Sequence, residues 1–341
     1  MQKSSLFLAL SVSLVTLGFA QHTPELYPSF LKDTPSLQYG GRGNYHFNTT
    51  SVNNRPIVGV LTQPLTGDFE KDPRFKGKTS YIMKSYIDHL ESAGARTVPL
   101  IFDANLEEQL SKIDSLNGVF YCGGGAGGKY DTFGKAVYNK AKKLNDQGEY
   151  LPVWGTCLGF ENLAMFASDD EETVLIGGLE ADDENYVLHF LKEPSATRIF
   201  APLGDDADIF KEKAIAYNHH SYGVSPNRFM SDRGLAEMFT PIAISYDNKG
   251  TAFVAAMEST KYPFFGVQFH PEKAQAIYYP NTKIDHSEDS LYYNRYFADF
   301  FINQCRMNDH KFNGYTNEAN AVTENWEIVN TDGYYGAVYV F

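Results

Sequence analysis

Cysteine is scarce in this chain: its 341 residues hold Cys122, Cys157 and Cys305 and no others. Three thiols cannot staple a fold of this size, and an odd number leaves at least one unpaired even in an oxidising compartment. Positive charge is short too. Lys and Arg number 29 against 42 Asp and Glu, a formal net charge of −13. Nucleic-acid binding needs clustered cations facing phosphates, so the deficit argues against it. An anionic small molecule would have to be met by a local basic pocket rather than by the global field. Beyond the first twenty residues no apolar run approaches a bilayer span, and internal repeats and low-complexity tracts are missing. What is present is a 43% hydrophobic, 15% aromatic composition, enough to fill a sizeable core.

The first residues have their own pattern. Lys3 precedes the apolar stretch from Leu6 to Leu17, and Gly18-Phe19-Ala20 supplies small residues at a cleavage site. This predicts a secretory signal peptide over 1–20, too short for an anchor, and hence no stable membrane association. In that compartment Asn48-Thr49-Thr50 is a glycosylation sequon on Asn48. Residues 21–55, with Pro24, Pro28, Pro35 and several glycines, read as an extended N-terminal arm.

A regular alternation follows. Short apolar runs at 56–61, 97–102, 118–121 and 151–154 predict buried strands, separated by helical patterns after Thr79 or Ser80, at 106–113 and at 132–147. Strands alternating with helices imply βαβ units, so the fold class is α/β with a mostly parallel central sheet between helical layers. Residues 251–258 and 264–269 read as a strand hairpin, and 291–305 as a helix. The tail 326–341 alternates around Asp332-Gly333, predicting a hairpin on the sheet edge. The acidic runs 169–172 and 182–184 read as solvated loops rather than metal sites.

The strongest chemical signal is Gly155-Thr156-Cys157-Leu158-Gly159, directly after a strand and opening into a helical pattern. That is a nucleophile elbow: a sharp turn whose small neighbours let the chain bend, with the thiol at a helix N-terminus where the dipole favours thiolate. His270-Pro271-Glu272 leaves another strand end, where His270 can act as base and Glu272 can fix its tautomer. Cys122-Gly123-Gly124-Gly125 ends a third strand, and the N–H groups of Gly124 and Leu158 are candidates for an oxyanion hole. These glycines fit a dinucleotide fingerprint only loosely.

The string Pro152-Val153-Trp154-Gly155-Thr156-Cys157-Leu158-Gly159-Phe160-Glu161, with Leu90-Glu91-Ser92-Ala93-Gly94-Ala95-Arg96, Tyr262-Pro263 and residues 266–273, resembles the γ-glutamyl hydrolase (folate conjugase) family. That family lies in the class I glutamine amidotransferase-like superfamily, and the resemblance covers roughly residues 55 to 310. It implies a flavodoxin-like three-layer sandwich with a catalytic domain over 56–310 and a C-terminal extension over 311–341. It assigns Cys157 as nucleophile, His270 as general base, Glu272 as orienter and His220, beside His219, as substrate-facing. The implied reaction is hydrolysis of folate poly-γ-glutamates through a thioester, without metal or organic cofactor. A homodimer in a lysosome, vacuole or the medium is implied as well. The chain departs from the family's pattern at Cys122, where proline is common, and at Gly125-Ala126-Gly127-Gly128. Arg74, Lys76 and Lys78, after the first strand, are candidates to attract the anionic tail. The alternatives are a hydrolase of small γ-glutamyl amides or a catalytically silent secreted binding protein of the same fold.

Overall fold

The computed structural model describes Tyr45, Phe47 and residues 51–341. The expected signal peptide, Asn48 and most of the N-terminal arm lie outside the described residues.

Eight strands form the central sheet, in the order Arg96–Leu100, Ile57–Leu61, Gly118–Tyr121, Val153–Thr156, Phe264–Val267, Ala252–Ser259, Phe239–Tyr246 and His189–Phe190. The first five run parallel, and the last three are added antiparallel. Alternation along each strand sends side chains to two cores. Val58, Val60, Phe120, Trp154 and Phe265 pack with Tyr86, Ile87 and Leu90 of the Lys84–Ser92 helix and with Tyr296, Phe297 and Phe301 of Glu288–Cys305. Ile57, Leu61, Val119, Tyr121 and Val153 face the Lys129–Asp146 and Leu158–Ala167 helices on the other side. This is the three-layer α/β sandwich that the alternating pattern requires.

Three expectations are corrected. The helix expected after Thr79 or Ser80 begins at Lys84, because Ser80–Met83 is a strand. That strand is recruited by the chain's own end. The tail does form a hairpin, Glu327–Asn330 with Ala337–Val340, but Ala337–Val340 pairs with Ser80–Met83 in a separate four-stranded sheet rather than on the central sheet's edge. Finally, the acidic residues 182–184 belong to a strand, Ile176–Tyr186, which pairs antiparallel with Ala216–Gly223 as a ribbon. Asp183 there accepts from Tyr217 Oη at 2.8 Å.

Candidate active site

The elbow is enforced by close packing. The Val153–Thr156 strand runs into Cys157, whose backbone takes φ 52° and ψ −110°, and the Leu158–Ala167 helix starts at once. A positive φ on a non-glycine residue persists only where its surroundings impose it. Here a Cβ at Gly155 would lie 2.4 Å from the Gly159 carbonyl oxygen, and one at Gly159 would lie 2.2 Å from that of Tyr121. Only glycine lets strand, elbow and helix approach so closely. Cys157 N–H donates to Val267 O at 2.9 Å, which fixes the elbow to the next strand.

That next strand leads to His270, and the backbone N–H of His270 donates to Tyr217 O at 2.7 Å. Nδ1 of its ring lies 2.8 Å from Glu272 Oε1, with both side chains buried. A carboxylate only accepts, so the pairing assigns the proton to Nδ1 and leaves the lone pair on Nε2. Nε2 is buried and has no hydrogen-bond partner among the described residues. Imidazole and thiol converge on Gly123: a Cβ there would lie 2.7 Å from His270 Cε1 and 3.1 Å from Cys157 Cβ. The same glycine's N–H donates to Tyr86 Oη at 3.0 Å, and that oxygen is 3.3 Å from His270 Nδ1.

Burial dominates the electrostatics. It pushes the Cys157 thiol up, and the nearby Glu161 carboxylate adds to this, while the Leu158 N–H bonded to the sulfur and the Lys273 ammonium pull it back. The helix-terminus effect expected from the elbow is present but outweighed, so the resting sulfur is a thiol. Burial also lowers His270, against the pull of Glu272. Burial would raise Glu272, yet the facing imidazole and Lys273 outweigh it and bring the carboxyl down to about 2. Glu161 is raised to about 7 by burial, although Gln268 Nε2 donates to it at 2.9 Å. Burial thus favours the neutral thiol and the neutral imidazole, while the imidazole and Lys273 favour the charged carboxylate of Glu272 behind them. Such a set can transfer the thiol proton as the sulfur attacks a carbonyl.

The structure places the other predicted residues differently. His220 donates or accepts at both ring nitrogens, Nδ1 with Tyr222 O at 2.7 Å and Nε2 with Asn218 Oδ1 at 3.0 Å. Its ring packs edge-on against Phe253, 4.9 Å between centroids. Side chains alternate along Ala216–Gly223, so it is His219 that shares the face of Tyr217, and its carbonyl oxygen lies 4.0 Å from Cys157 Sγ. Arg74 is bound to Asp72 and Asp332, and Lys78 to Glu327, so two of the three expected tail-attracting cations hold the chain's own carboxylates. Gly124 sits next to the converging Gly123, packed against the Gln63 side chain. Two residues that the sequence reading missed are Tyr86, legible only as one more apolar position on a helix face, and Lys273. Lys273 is buried with its Nζ 3.7 Å from Glu272 Oε1. Cys122 and Cys305 are buried free thiols. Among the described residues no group of three His, Cys, Asp or Glu side chains is arranged to hold a metal.

A cysteine elbow and a histidine–glutamate pair on adjoining strands of a mostly parallel sheet define a class I glutamine amidotransferase architecture, and the family profile described as "Glutamine amidotransferase class-I" matches residues 79–280. The chain is 34% identical over 262 residues to rat gamma-glutamyl hydrolase, covering 76% of this chain and 80% of the relative. It is 30% identical over 275 residues to gamma-glutamyl hydrolase B of Dictyostelium discoideum, covering 77% and 76%. Among solved structures, the glutaminase domain of Trypanosoma brucei CTPS with bound acivicin superposes with a TM-score of 0.49 at 14% identity, over 76% of this chain and 97% of that one. Within its class, the chain belongs to the γ-glutamyl hydrolase family.

Proposed function

We propose that this chain hydrolyses γ-glutamyl amide bonds of folate poly-γ-glutamates by covalent catalysis at Cys157. The observation that carries the reading is the buried, unpartnered His270 Nε2 beside the elbow thiol, with Glu272 holding the opposite ring nitrogen at 2.8 Å. Nε2 takes the Sγ proton as sulfur bonds to the γ-carbonyl carbon. The negative charge that develops on the carbonyl oxygen is received by backbone N–H groups, with Leu158 and Gly124 in that role. The imidazolium then gives its proton to the departing amine as the C–N bond breaks, leaving a thioester. Water next loses a proton to Nε2 and adds to the thioester carbonyl. The C–S bond breaks, and the proton returns to sulfur. Glu272 keeps the ring in the productive tautomer and stabilises the imidazolium in each half-reaction.

The family relation supports the γ-glutamyl acyl group, because the relatives bear that activity in their names. A secretory route with delivery to a lysosome, vacuole or the medium, and a homodimeric state, complete the proposal. The substrate class is tested by incubating the chain without residues 1–20 with pteroyl-penta-γ-glutamate and, separately, with small γ-glutamyl amines at mildly acidic pH. Release of glutamate or γ-glutamyl peptides from the former alone is expected, with product lengths separating terminal from internal cleavage. Turnover confined to the small amines would replace the proposed substrate.

A further inference from the structure

Cys157 and His270 are each only 4% exposed, so an element that lies over them governs how a substrate carbonyl approaches the sulfur. The C-terminal hairpin turn, residues 331–336, supplies such an element. Its two adjacent tyrosines point different ways. Tyr335 packs edge-on against Phe69 at 5.0 Å and near Tyr81 at 6.0 Å, anchoring the turn in an aromatic cluster. Tyr334 lies over the site. Its ring stacks on His219, 4.8 Å between centroids and 29° from parallel. Lys273 Nζ sits 4.7 Å from its centroid, and its hydroxyl is 3.5 Å from that of Tyr217. Each support touches the reacting set: the His219 carbonyl lies 4.0 Å from Cys157 Sγ, and Lys273 Nζ lies 3.7 Å from Glu272 Oε1.

The hairpin is held unevenly. Its second strand places Val338 and Val340 fully in the core. The turn and first strand are fastened from outside by Arg74, which pairs with Asp332 at 3.1 Å and donates to Asn330 O at 2.8 Å, and by Lys78 with Glu327 at 3.0 Å. Exposed ion pairs of this kind are weak, so the Tyr334 side of the turn can lift about Tyr335, which stays in its aromatic cluster while the strands stay paired. Lifting it uncovers the Lys273 amino group, 1% exposed beneath the Tyr334 ring, which gives an acidic chain of net charge −13 a local basic group for an anionic substrate.

We infer that the turn at 331–336 is a lid over Cys157 and that Tyr334 is a positioning residue, closing on the γ-glutamyl chain and setting its place against the thiol. The inference rests on the hydrolase reading for the identity of the chain that is held, but not for the lid itself. The test therefore uses a neutral alkylating agent, iodoacetamide, on the full folded protein, with labelling of the Cys157 peptide followed by mass spectrometry. Tyr334→Ala, which removes the stacking and the cation–π contact, is expected to speed Cys157 labelling by about tenfold. Arg74→Ala leaves the site untouched and loosens the latch, for about a two- to fivefold gain. Tyr334→Phe keeps the ring and should label like the parent. Fully buried Cys305 reports global unfolding. Cys157 rates unchanged by both alanine variants, or rising only in step with Cys305, would overturn the lid. With pteroyl-penta-γ-glutamate, Tyr334→Ala is expected to raise KM more than it lowers kcat. An unchanged KM would remove the positioning role even if the lid stands.

Discussion

A thiol and an imidazole that are both buried separate charge only at a cost, and here burial pushes Cys157 up while it pulls His270 down. His270 acts as a base only when unprotonated, so lowering it extends the active form toward acid. The acid limb of kcat/KM is expected below the ordinary imidazole value of 6.5, measured as a pH–rate profile. Glu272→Gln removes a charge that raises His270, so the limb should move to still lower pH while the rate falls by roughly a hundredfold or more as the ring loses its orienter. Glu161 makes a second prediction. Raised by burial to about 7 from an ordinary 4.5, it holds in the folded state a proton that the unfolded chain releases. Stability is then greatest below about 4.5 and falls as pH rises toward about 7. Glu161→Gln should flatten that slope and gain up to ~3 kcal/mol at neutral pH by denaturant unfolding. It should also move the alkaline limb of kcat/KM to lower pH, because a negative neighbour that raises the Cys157 thiol is gone. Cys157, His270 and Glu272 were legible because glycine spacing and a strand-ending proline mark where a chain must turn. His219 was not, since which face of a strand looks at the site depends on its pairing partner. Lys273 and Tyr86 carry no local mark at all.

At the scale of elements, the parallel core was legible wherever an apolar run was bounded by turn residues. The failures are all pairings between distant segments. Ser80–Met83 becomes a strand because Ala337–Val340 lies beside it, Val338 against Met83, and no window of local sequence contains both. The Ile176–Tyr186 ribbon escaped for the opposite reason: its acidic, half-exposed residues look like solvated loop until Ala216–Gly223 pairs with them. The elbow is the element whose geometry is most tightly specified. Gly159→Ala would drive a methyl to 2.2 Å from the Tyr121 carbonyl oxygen, and backbone cannot yield as a side chain can. A loss of about 3 kcal/mol or more is expected in thermal or denaturant unfolding, with activity falling further as the thiol is displaced.

For the whole molecule, the first core is built around aromatic rings, with Trp154 in contact with each of Phe297, Phe300 and Phe301. The C-terminal segment is part of this body rather than an appendage. Glu318, itself buried, pairs with Arg55 and Arg96, and Val338, Val340 and Phe341 are buried in or beside the first core. Deleting residues 327–341 should therefore not yield a trimmed enzyme. Exposing that surface is expected to cost several kcal/mol of the roughly 5–15 available to a domain, seen as loss of a cooperative melting transition.

The central claim is that one thiol at one elbow carries the reaction. The measurement that reaches it most directly compares the parent chain with Cys157→Ala, both shown folded by circular dichroism, on pteroyl-penta-γ-glutamate at mildly acidic pH. The account predicts glutamate or γ-glutamyl peptide release by the parent and none above background by the variant. Undiminished release by a folded Cys157→Ala would contradict it.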